Sequence, residues 1–294
     1  MFPLFALFLR VRSLSRSACS PCPESERVPL VIKFFLIGRS RSEVKLNDVR
    51  QIGKHLKSKK PSAQVAVVIP AFNEEESLPS VLLDLAKAPV DRVIVVDNNS
   101  DDQTGERAKA GGAELVFCRA RGYGSACLRA LDHLSLDPPD IVVFIDADGA
   151  DELADIPKIL EPILENRADF VVGSRVRGGA EPGALTLAQR FGNALSCTLL
   201  KLLFKVNYSD LGPFRAIRWE QLLMLSMRDP NFGWTVEMQA KAARLNLRAE
   251  EVPTAYRRRL AGESKISGDL RASIRAGTKI LWTIGRERLR PPPR

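Results

Sequence analysis

The fold of this chain is decided by residues 141–149, which read IVVFIDADG. Residues 141–145 form an apolar run of strand length without polar alternation, which is typical of a strand covered on both faces. Asp146 and Asp148 follow directly, and in open α/β sheets ligands bind beyond the carboxyl ends of the strands. The stretch therefore predicts an α/β fold with a polar site at the end of this strand.

Further apolar runs of strand length alternate with segments of helical spacing on both sides of this stretch. The predicted strands cover residues 65–69, 92–96, 114–118, 141–145 and 170–173. The predicted helices between them cover residues 75–87, 104–110, 125–134 and 156–166. This alternation predicts a Rossmann-like, mostly parallel sheet with helices on both faces. We expect Pro70 to end the first strand.

Charge divides the 294 residues into three parts. Residues 1–60 have a net charge of +9, residues 61–253 of −8 and residues 254–294 of +8. The acidic middle part argues against nucleic-acid binding, which needs a basic face on the folded domain. Basic ends suit an anionic membrane surface or a phosphorylated ligand, and solvated tails are the alternative. We expect an N-terminal extension over residues 1–60, a main domain over residues 61–268, and a basic helix with a tail over residues 269–294.

The N-terminal extension has two apolar runs, residues 2–9 and 28–37, that are too short to span a bilayer. A targeting segment and an accessory extension both remain open for it. The five cysteines are scattered, and Cys19 and Cys22 have no second pair of ligands nearby, which excludes a typical zinc site. Free thiols favour a reducing compartment. We therefore expect a cytoplasmic protein, either free or peripheral at a membrane surface.

Asp146 and Asp148 have the chemistry and spacing of a site for a hard cation. Two carboxylates at a strand end can converge on one ion, and Mg²⁺ or Mn²⁺ also keeps waters and substrate phosphates among its oxygen ligands. An ion that bridges a diphosphate would neutralise the charge that develops on the leaving group. An ordinary acidic turn is the alternative, but the position after an apolar strand favours the metal site.

Asp97 follows the second predicted strand and is a candidate ligand of a nucleobase. Its carboxylate can accept hydrogen bonds from base N–H groups, or it can cap the helix that follows. Ser100 and Asp101 are better placed for capping, so we expect Asp97 to contact the ligand.

Seven stretches, in this order along the chain, resemble motifs of family-2 glycosyltransferases. They are VIPAFNEE (68–75), VVDNNS (95–100), DADG (146–149), GSR (173–175), DLGPFR (210–215), VEM (236–238) and GESK (262–265). The resemblance covers roughly residues 64–268 and is greatest to the dolichyl- and polyprenyl-phosphate mannose and glucose synthases. It implies a GT-A-type fold and a metal-dependent, inverting transfer of a hexose from GDP-mannose or UDP-glucose to a polyprenyl or dolichyl phosphate.

The same resemblance implies roles for single residues. It makes Asp148, Asp210 and Arg175 catalytic, and it assigns the metal and the diphosphate to Asp146 and Asp148. It places these residues around the donor and its phosphates: Pro70, Ala71, Asn73, Glu74, Asp97, Asp146, Arg215, Glu237, Arg259 and Lys265. Arginine suits such a role because its planar fork matches phosphate oxygens. A solvated basic face is the alternative for residues 257–259.

Two positions depart from the family pattern. Pro213 stands where many relatives have a Ser-Gly-Phe-Arg run, and it stiffens a loop that bears on the acceptor pocket. Arg258 stands where the mannose synthases tend to carry an acidic residue, which leaves the phosphate partner open. An acceptor phosphate would need little general-base help, whereas a hydroxyl acceptor would need a base, for which Asp210 and Glu237 are candidates. Asp210 could instead hold Arg215 in place.

The segment 270–289 interleaves apolar residues with five Lys or Arg and contains Trp282. Such a basic amphipathic helix either lies on a membrane surface or packs on the domain, and both alternatives stay open. Two other functions also stay open: transfer to a soluble hydroxyl acceptor, and a catalytically silent regulatory relative. A nucleotidyltransferase is disfavoured because residues 70–77 contain no glycine for a phosphate loop.

Overall fold

The computed structural model describes residues 63–261 and 270–291. The strands of this part are β1 (Val65–Ala71), β2 (Arg92–Asp97), β3 (Glu114–Phe117), β4 (Ile141–Phe144), β5 (Phe170–Ser174), β6 (Arg215–Arg218) and β7 (Ala249–Pro253). Its helices are α1 (Leu78–Leu85), α2 (Thr104–Ala110), α3 (Tyr123–Leu134), α4 (Ile156–Leu164), α5 (Arg175–Gly178), α6 (Leu187–Phe204), α7 (Trp219–Leu225), α8 (Trp234–Arg244) and α9 (Leu270–Leu289). The expected extension over residues 1–60, Lys265, and the tail after Pro291 lie outside the described residues.

The seven strands form one sheet in the order β3-β2-β1-β4-β6-β5-β7. β1 is parallel to both β2 and β4, and β2 is parallel to β3. β6 runs antiparallel between β4 and β5, and β7 pairs in parallel with β5 at the sheet edge. The expected mostly parallel α/β sheet is therefore confirmed, with one reversed strand that the sequence analysis did not foresee.

The sheet is covered on both faces because alternate residues of its central strands enter two different cores. Val65, Val67 and Ile69 of β1 pack with apolar residues of α1 and α4. Ala66 and Val68 of the same strand pack in a second core with residues of α3, α6, α7, α8 and α9. A strand buried on both faces needs apolar residues at every position, which explains the continuous apolar runs in the sequence.

The expectation that Pro70 ends the first strand is wrong. Pro70 pairs with Val96 of β2, and β1 continues to Ala71. The ladder between β1 and β4 ends where Val68 meets Phe144. The missing N–H of proline is tolerated because Pro70 lies beyond that ladder.

Helix α1 begins three residues later than expected. α1 begins at Leu78 because Asn73 has a left-handed backbone (φ 52°) and Pro79 lies in the first turn. α6 begins at Leu187, where Thr186 and Gln189 form a capping box. With 18 residues, α6 is one of the main helices on its face of the sheet.

The C-terminal helix α9 has the expected bounds and packs on the domain against α6 and α8. Its inner face buries Thr283, Ile284 and Glu287. Of the two alternatives for this segment, packing on the domain is therefore the one observed for the inner face. Within the described residues, no helix combines the length and apolarity needed to cross a membrane.

Candidate active site

The acidic residues after β4 form a tight turn at the end of the central strands. Gly149 has a φ of +71°, and a Cβ at this position would collide with the side chain of Leu260, so the turn requires glycine. Asp148 Oδ1 accepts a hydrogen bond from the Ala150 N–H at 2.9 Å, and Asp148 is almost fully buried. The turn thereby holds the Asp148 carboxylate in one position.

A third carboxylate, Asp151, stands beside the two expected ones and was missed in the sequence analysis. Its Oδ2 accepts a hydrogen bond from the Asp146 N–H at 3.4 Å. Burial and the neighbouring Asp148 raise the pKa of Asp146 to about 7. Burial, followed by the charges of Asp146 and Asp148, raises the pKa of Asp151 well above its usual value. The only signal in the sequence was its place five residues after Asp146.

Arg259 joins the turn to the end of β1. Its Nε donates to Asp148 Oδ2 at 2.8 Å, and its Nη2 lies 3.4 Å from Glu74 Oε1. Glu74 is buried, and its Oε2 accepts a hydrogen bond from Ser77 Oγ at 2.8 Å. The structure thus brings Glu74, Asp148 and Arg259 together, although the chain separates Glu74 from Arg259 by 185 positions.

Arg175 and Asp210 form a second pair of opposite charges. Arg175 Nε and Nη2 donate to the two carboxylate oxygens of Asp210 at 2.9 and 2.7 Å, and the Arg175 N–H donates at 2.8 Å. Asp210 is fully buried, and the Arg175 guanidinium lies 5.0 Å from the centre of the Tyr256 ring. Asp210 therefore holds Arg175 and not Arg215, the alternative partner expected from the sequence.

Both arginines act on the same carboxyl group. The charges of Arg175 and of Arg259 each lower the pKa of Asp146, although burial and Asp148 outweigh them. Arg259 contacts Asp148 directly, and Arg175 lies against Tyr256, whose main chain pairs with Asp151 of the same turn. A place that offers both carboxylates for a cation and arginines for phosphate oxygens fits a diphosphate.

Arg215 does not stand where a nucleotide contact needs it. Its side chain is fully buried, and its guanidinium donates to the carbonyl groups of Leu211, Gly212 and Thr235. Burial lowers the pKa of Arg215 to about 10. Because main-chain carbonyl groups accept hydrogen bonds from its guanidinium, Arg215 stabilises the conformation of the 210–215 loop.

Glu237 is also placed away from ligand contact. It is fully buried, and its Oε2 accepts hydrogen bonds from the N–H groups of Arg228 and Asp229 at 3.1 and 2.7 Å. Its Oε1 pairs with Lys241 at 2.9 Å and with Arg286 of α9 at 3.1 Å. The expected roles of Glu237 as a donor ligand or a base do not fit this position, since its carboxylate joins α8 to α9.

Hydrogen bonds connect the segments that follow β1 and β2. The Asn73 N–H donates to Ser100 Oγ at 3.0 Å, and Asn73 Oδ1 accepts from the Asp101 N–H at 2.9 Å. Asp97 is half-buried, and its Oδ1 accepts from the Ser100 N–H at 2.9 Å. Pro70 and Ala71 lie in the last part of β1 beside this turn, so these expected donor-binding residues are neighbours.

The expected capping residues of α2 are wrong. Neither Ser100 nor Asp101 caps this helix, because Ser100 Oγ accepts a hydrogen bond from the Asn73 N–H and the Asp101 carboxylate pairs with Arg121 at 2.9 Å. Asp102 supplies the contact, since its Oδ1 accepts a hydrogen bond from the Thr104 N–H at 2.9 Å. Arg121 was not expected in this region from the sequence, and its guanidinium lies 4.3 Å from the centre of the Phe72 ring.

The carboxylates at this edge fit a divalent cation that takes part of its ligands from elsewhere. Within residues 63–261 and 270–291, no group of three or more His, Cys, Asp or Glu side chains converges as a complete metal site. Mg²⁺ and Mn²⁺ commonly use one or two carboxylates and complete their shell with waters and substrate phosphates. Asp146 and Asp148 supply that number, and a cation would relieve the repulsion that raises the pKa of Asp146.

Comparison with known sequences gives the family. The model of glycosyl transferase family 2 matches residues 66–228. An uncharacterized glycosyltransferase of Mycobacterium tuberculosis is 39% identical over 213 residues, which are 71% of this chain and 93% of that protein. The undecaprenyl-phosphate mannosyltransferase of Micrococcus luteus is 31% identical over 70% of this chain and 89% of its own length. The dolichyl-phosphate hexose transferase of Haloferax volcanii is 32% identical over 77% and 96%.

Comparison with solved structures gives the same fold. The glucosyl-3-phosphoglycerate synthase of Mycobacterium tuberculosis, in complex with Mn²⁺, uridine diphosphate and phosphoglyceric acid, superposes with a TM-score of 0.62 at 22% identity. The superposition covers 86% of this chain and 85% of that one. The sheet is thus that of a GT-A glycosyltransferase, and the match over residues 66–228 together with these relatives places the chain in glycosyl transferase family 2.

Proposed function

We propose that this enzyme transfers a hexose from a nucleotide sugar to a polyprenyl phosphate, with a divalent cation at Asp146 and Asp148. The observation that carries the proposal is that Arg259 contacts Asp148 at 2.8 Å, while Arg175 lies against Tyr256, whose main chain pairs with Asp151 of the same acidic turn. A donor diphosphate and an acceptor phosphate are both anionic, and two arginines beside a cation site can hold both. The names of the relatives from Micrococcus luteus and Haloferax volcanii support a lipid phosphate as the acceptor.

The donor would occupy the edge formed by the ends of β1, β2 and β4. The nucleoside would lie beside Ala71, Asn73 and Asp97. The diphosphate would lie beside Asp146 and Asp148. When bound, the cation supplies neutralisation of the charge that develops on the leaving diphosphate. Arg259 bridges Asp148 and Glu74, and it is positioned to meet the same phosphate oxygens.

The acceptor would approach from the side of Arg175. Its phosphate oxygen is already an anion, so it can attack the anomeric carbon without a general base. Attack opposite the departing diphosphate inverts the configuration at that carbon. Asp210 then acts by holding Arg175 at two points and not as a proton acceptor, because both of its oxygens already accept hydrogen bonds from Arg175.

The first test is product formation from labelled GDP-mannose and UDP-glucose with Mn²⁺ or Mg²⁺ and polyprenyl phosphate. We expect organic-extractable label that requires the cation and falls at least about 100-fold in Asp148→Asn, the scale of losing one electrostatic contact in a transition state. Asp84→Asn is the matched control, since Asp84 is an exposed carboxylate on α1 that pairs with the exposed Lys87.

Other outcomes would redirect the proposal. Label that enters only water-soluble products, with phosphoglyceric acid or free sugars offered, would replace the lipid acceptor by a soluble hydroxyl. Failure to bind either donor, measured by calorimetry, would contradict the proposed hexose transfer and favour a catalytically silent regulatory role. Equal activity of Asp148→Asn and Asp84→Asn would remove the metal site from Asp148.

A further inference from the structure

The outward face of α6 is apolar along the whole helix. Leu187, Phe191 and Leu202 are 84%, 71% and 71% exposed. Their spacing of four and eleven residues places them on one side of a helix. Ala194, Leu195 and Thr198 fall on the same side by this spacing, and none of the six is charged. We call these six residues the α6 stripe.

The opposite face of α6 is used inside the protein. Ser196, Cys197 and Leu200 are buried against the core. α6 therefore packs on the core through its buried face, and the α6 stripe is a second, separate apolar face of the same helix. A helix that is apolar on both faces and lies at the surface has a second apolar partner.

The surroundings of the stripe are basic. α6 contains Arg190 and Lys201 and no Asp or Glu. The neighbouring α9 has exposed Arg275 and Arg288, and its one acidic residue, Glu287, is fully buried. On these two helices, apolar side chains are flanked by arginine and lysine without exposed carboxylates, which matches a surface of anionic lipid headgroups over acyl chains.

The stripe also lies close to the acceptor side of the site. Asn193, on the inner side of α6, donates to the Ser209 carbonyl and accepts from the Leu211 N–H, both at 2.9 Å. These two residues flank Asp210, which holds Arg175. The Arg175–Asp210 pair is thus separated from the stripe by about the thickness of one helix, roughly 10 Å.

We propose that the α6 stripe docks the enzyme on an anionic lipid bilayer. The apolar residues enter the interfacial layer, while Arg190 and Lys201 reach headgroup phosphates. A second copy of the chain fits the face less well, because a symmetric contact across α6 would bring Arg190 and Lys201 of one copy near those of the other. The inference rests on the proposed function for its purpose, since docking would bring a lipid phosphate to Arg175.

The proposed membrane face belongs to α6 and not to α9, the helix for which the sequence left membrane contact open. In α9, Lys279 and Arg286 are turned toward buried acids: Lys279 pairs with Asp229 at 2.9 Å, and Arg286 with Glu237 at 3.1 Å. Both cations also lie within 5 Å of the centre of the Trp282 ring. Part of the positive charge of α9 is therefore paired with buried carboxylates of the domain, and α9 contributes to docking through its exposed arginines.

The test is flotation of the full chain with vesicles of phosphatidylcholine alone or mixed with phosphatidylglycerol. We expect binding to the mixed vesicles that weakens with salt, and a loss of about tenfold or more in the double variant Phe191→Asp, Leu202→Asp. Leu83→Asp, at a leucine of α1 that is 67% exposed, is the matched control and keeps binding. Thermal unfolding of all variants checks that the substitutions at these exposed positions leave the fold intact, and we expect unchanged midpoints.

Three outcomes would overturn the inference. They are absence of vesicle binding by the unaltered chain, equal binding by the double variant, and a dimer in sedimentation that the double variant dissociates without any effect of vesicles. Donor binding in the absence of lipid separates this inference from the proposed function. A chain that docks but forms no lipid product contradicts the function alone, and a chain that glycosylates detergent-dispersed polyprenyl phosphate without docking contradicts the inference alone.

Discussion

At the scale of single residues, the site consists of arginines that are each held by a carboxylate. Asp210 holds Arg175 at two points, and Asp148 holds Arg259 through Nε. A guanidinium that is fixed in this way loses little conformational freedom when it meets a phosphate. The acidic residues therefore determine where positive charge stands before a ligand binds.

Asp210→Asn keeps the size of the side chain and removes the charge that faces Arg175. Because Arg175 is mostly buried and Asp210 is 1% exposed, we expect the free energy of unfolding to fall by about 3 kcal/mol, as for other broken buried pairs. Urea denaturation measures the change. Asp84→Asn, which removes an exposed partner of Lys87, is expected to change the value by less than about 1 kcal/mol. Equal stabilities of the two variants would contradict the role given to Asp210.

At the scale of elements, ion pairs join neighbouring strands and helices at the sheet edge. Glu114 of β3 accepts hydrogen bonds from Arg92 of β2 at 2.7 and 2.9 Å, and its Oε2 lies 2.8 Å from Nε2 of His133 on α3. The hydrogen bonds from Arg92, and then those from His133, lower the pKa of Glu114 to about 2, against the opposing effect of burial. This cluster ties three elements together at a short edge strand.

The lowered pKa of Glu114 makes its contribution to stability depend on pH. A carboxyl group whose pKa is lower in the folded state stabilises the fold above its unfolded pKa of 4.5, and this stabilisation is lost as pH falls toward 2. Since the Glu114 side chain is 38% exposed, solvent screening reduces its worth to about 1 kcal/mol. We expect Glu114→Gln to lower the free energy of unfolding by that amount at pH 7.

The measurement is urea denaturation of the unaltered chain and of Glu114→Gln between pH 7 and pH 3. The difference between the two should shrink as the pH falls below 4.5. Glu165→Gln serves as the control, because Glu165 is an exposed carboxylate that pairs with Arg167 two residues away. A difference that stays constant with pH would show that Glu114 acts by its shape and not by its charge.

At the scale of the whole molecule, α9 closes the core on one face of the sheet. Ile284 belongs to the same apolar cluster as Trp234 of α8 and Phe144 of β4. Asp229, between α7 and α8, is fully buried and pairs with Lys279 of α9. The main-chain carbonyl of Pro230, next to Asp229, accepts a hydrogen bond from the Ser125 N–H at the start of α3. The C-terminal helix is therefore connected through this loop to the elements around the site.

Ile284→Ala tests whether α9 is part of the core. Ile284 is 1% exposed, so removing its outer carbons leaves a cavity, and we expect a loss of about 2–4 kcal/mol in the free energy of unfolding. Ile274→Ala is the matched control on the same helix, since Ile274 is 60% exposed, and it should cost less than about 1 kcal/mol. Urea denaturation of both variants measures these losses, and similar losses would contradict the packing of α9 on the core.

The sequence predicted those parts of the fold that have a local signature. β1, β2, β4 and β5 were recognisable because strands buried on both faces are continuously apolar, and the edge strand β3 was recognisable from its short apolar run. β6 and β7 were not recognised, because Arg215 and Arg218 bound one and two glutamates lie within the other. β6 buries Arg215 only because the carbonyl groups of the 210–215 loop and of Thr235 receive its guanidinium. That compensation does not exist in the sequence of β6 itself.

The sequence by itself determined the α/β class, the bounds of α9, and the position of Asp146 and Asp148 at a strand end, since apolar periodicity and the residues that follow a strand are local properties of the chain. Tertiary structure decided which charges meet. Arg175 meets Asp210 over 35 positions and Arg259 meets Asp148 over 111, and no local pattern encodes such a contact. Tertiary structure also removed Arg215 and Glu237 from the expected ligand contacts, because burial depends on the elements that pack around a residue.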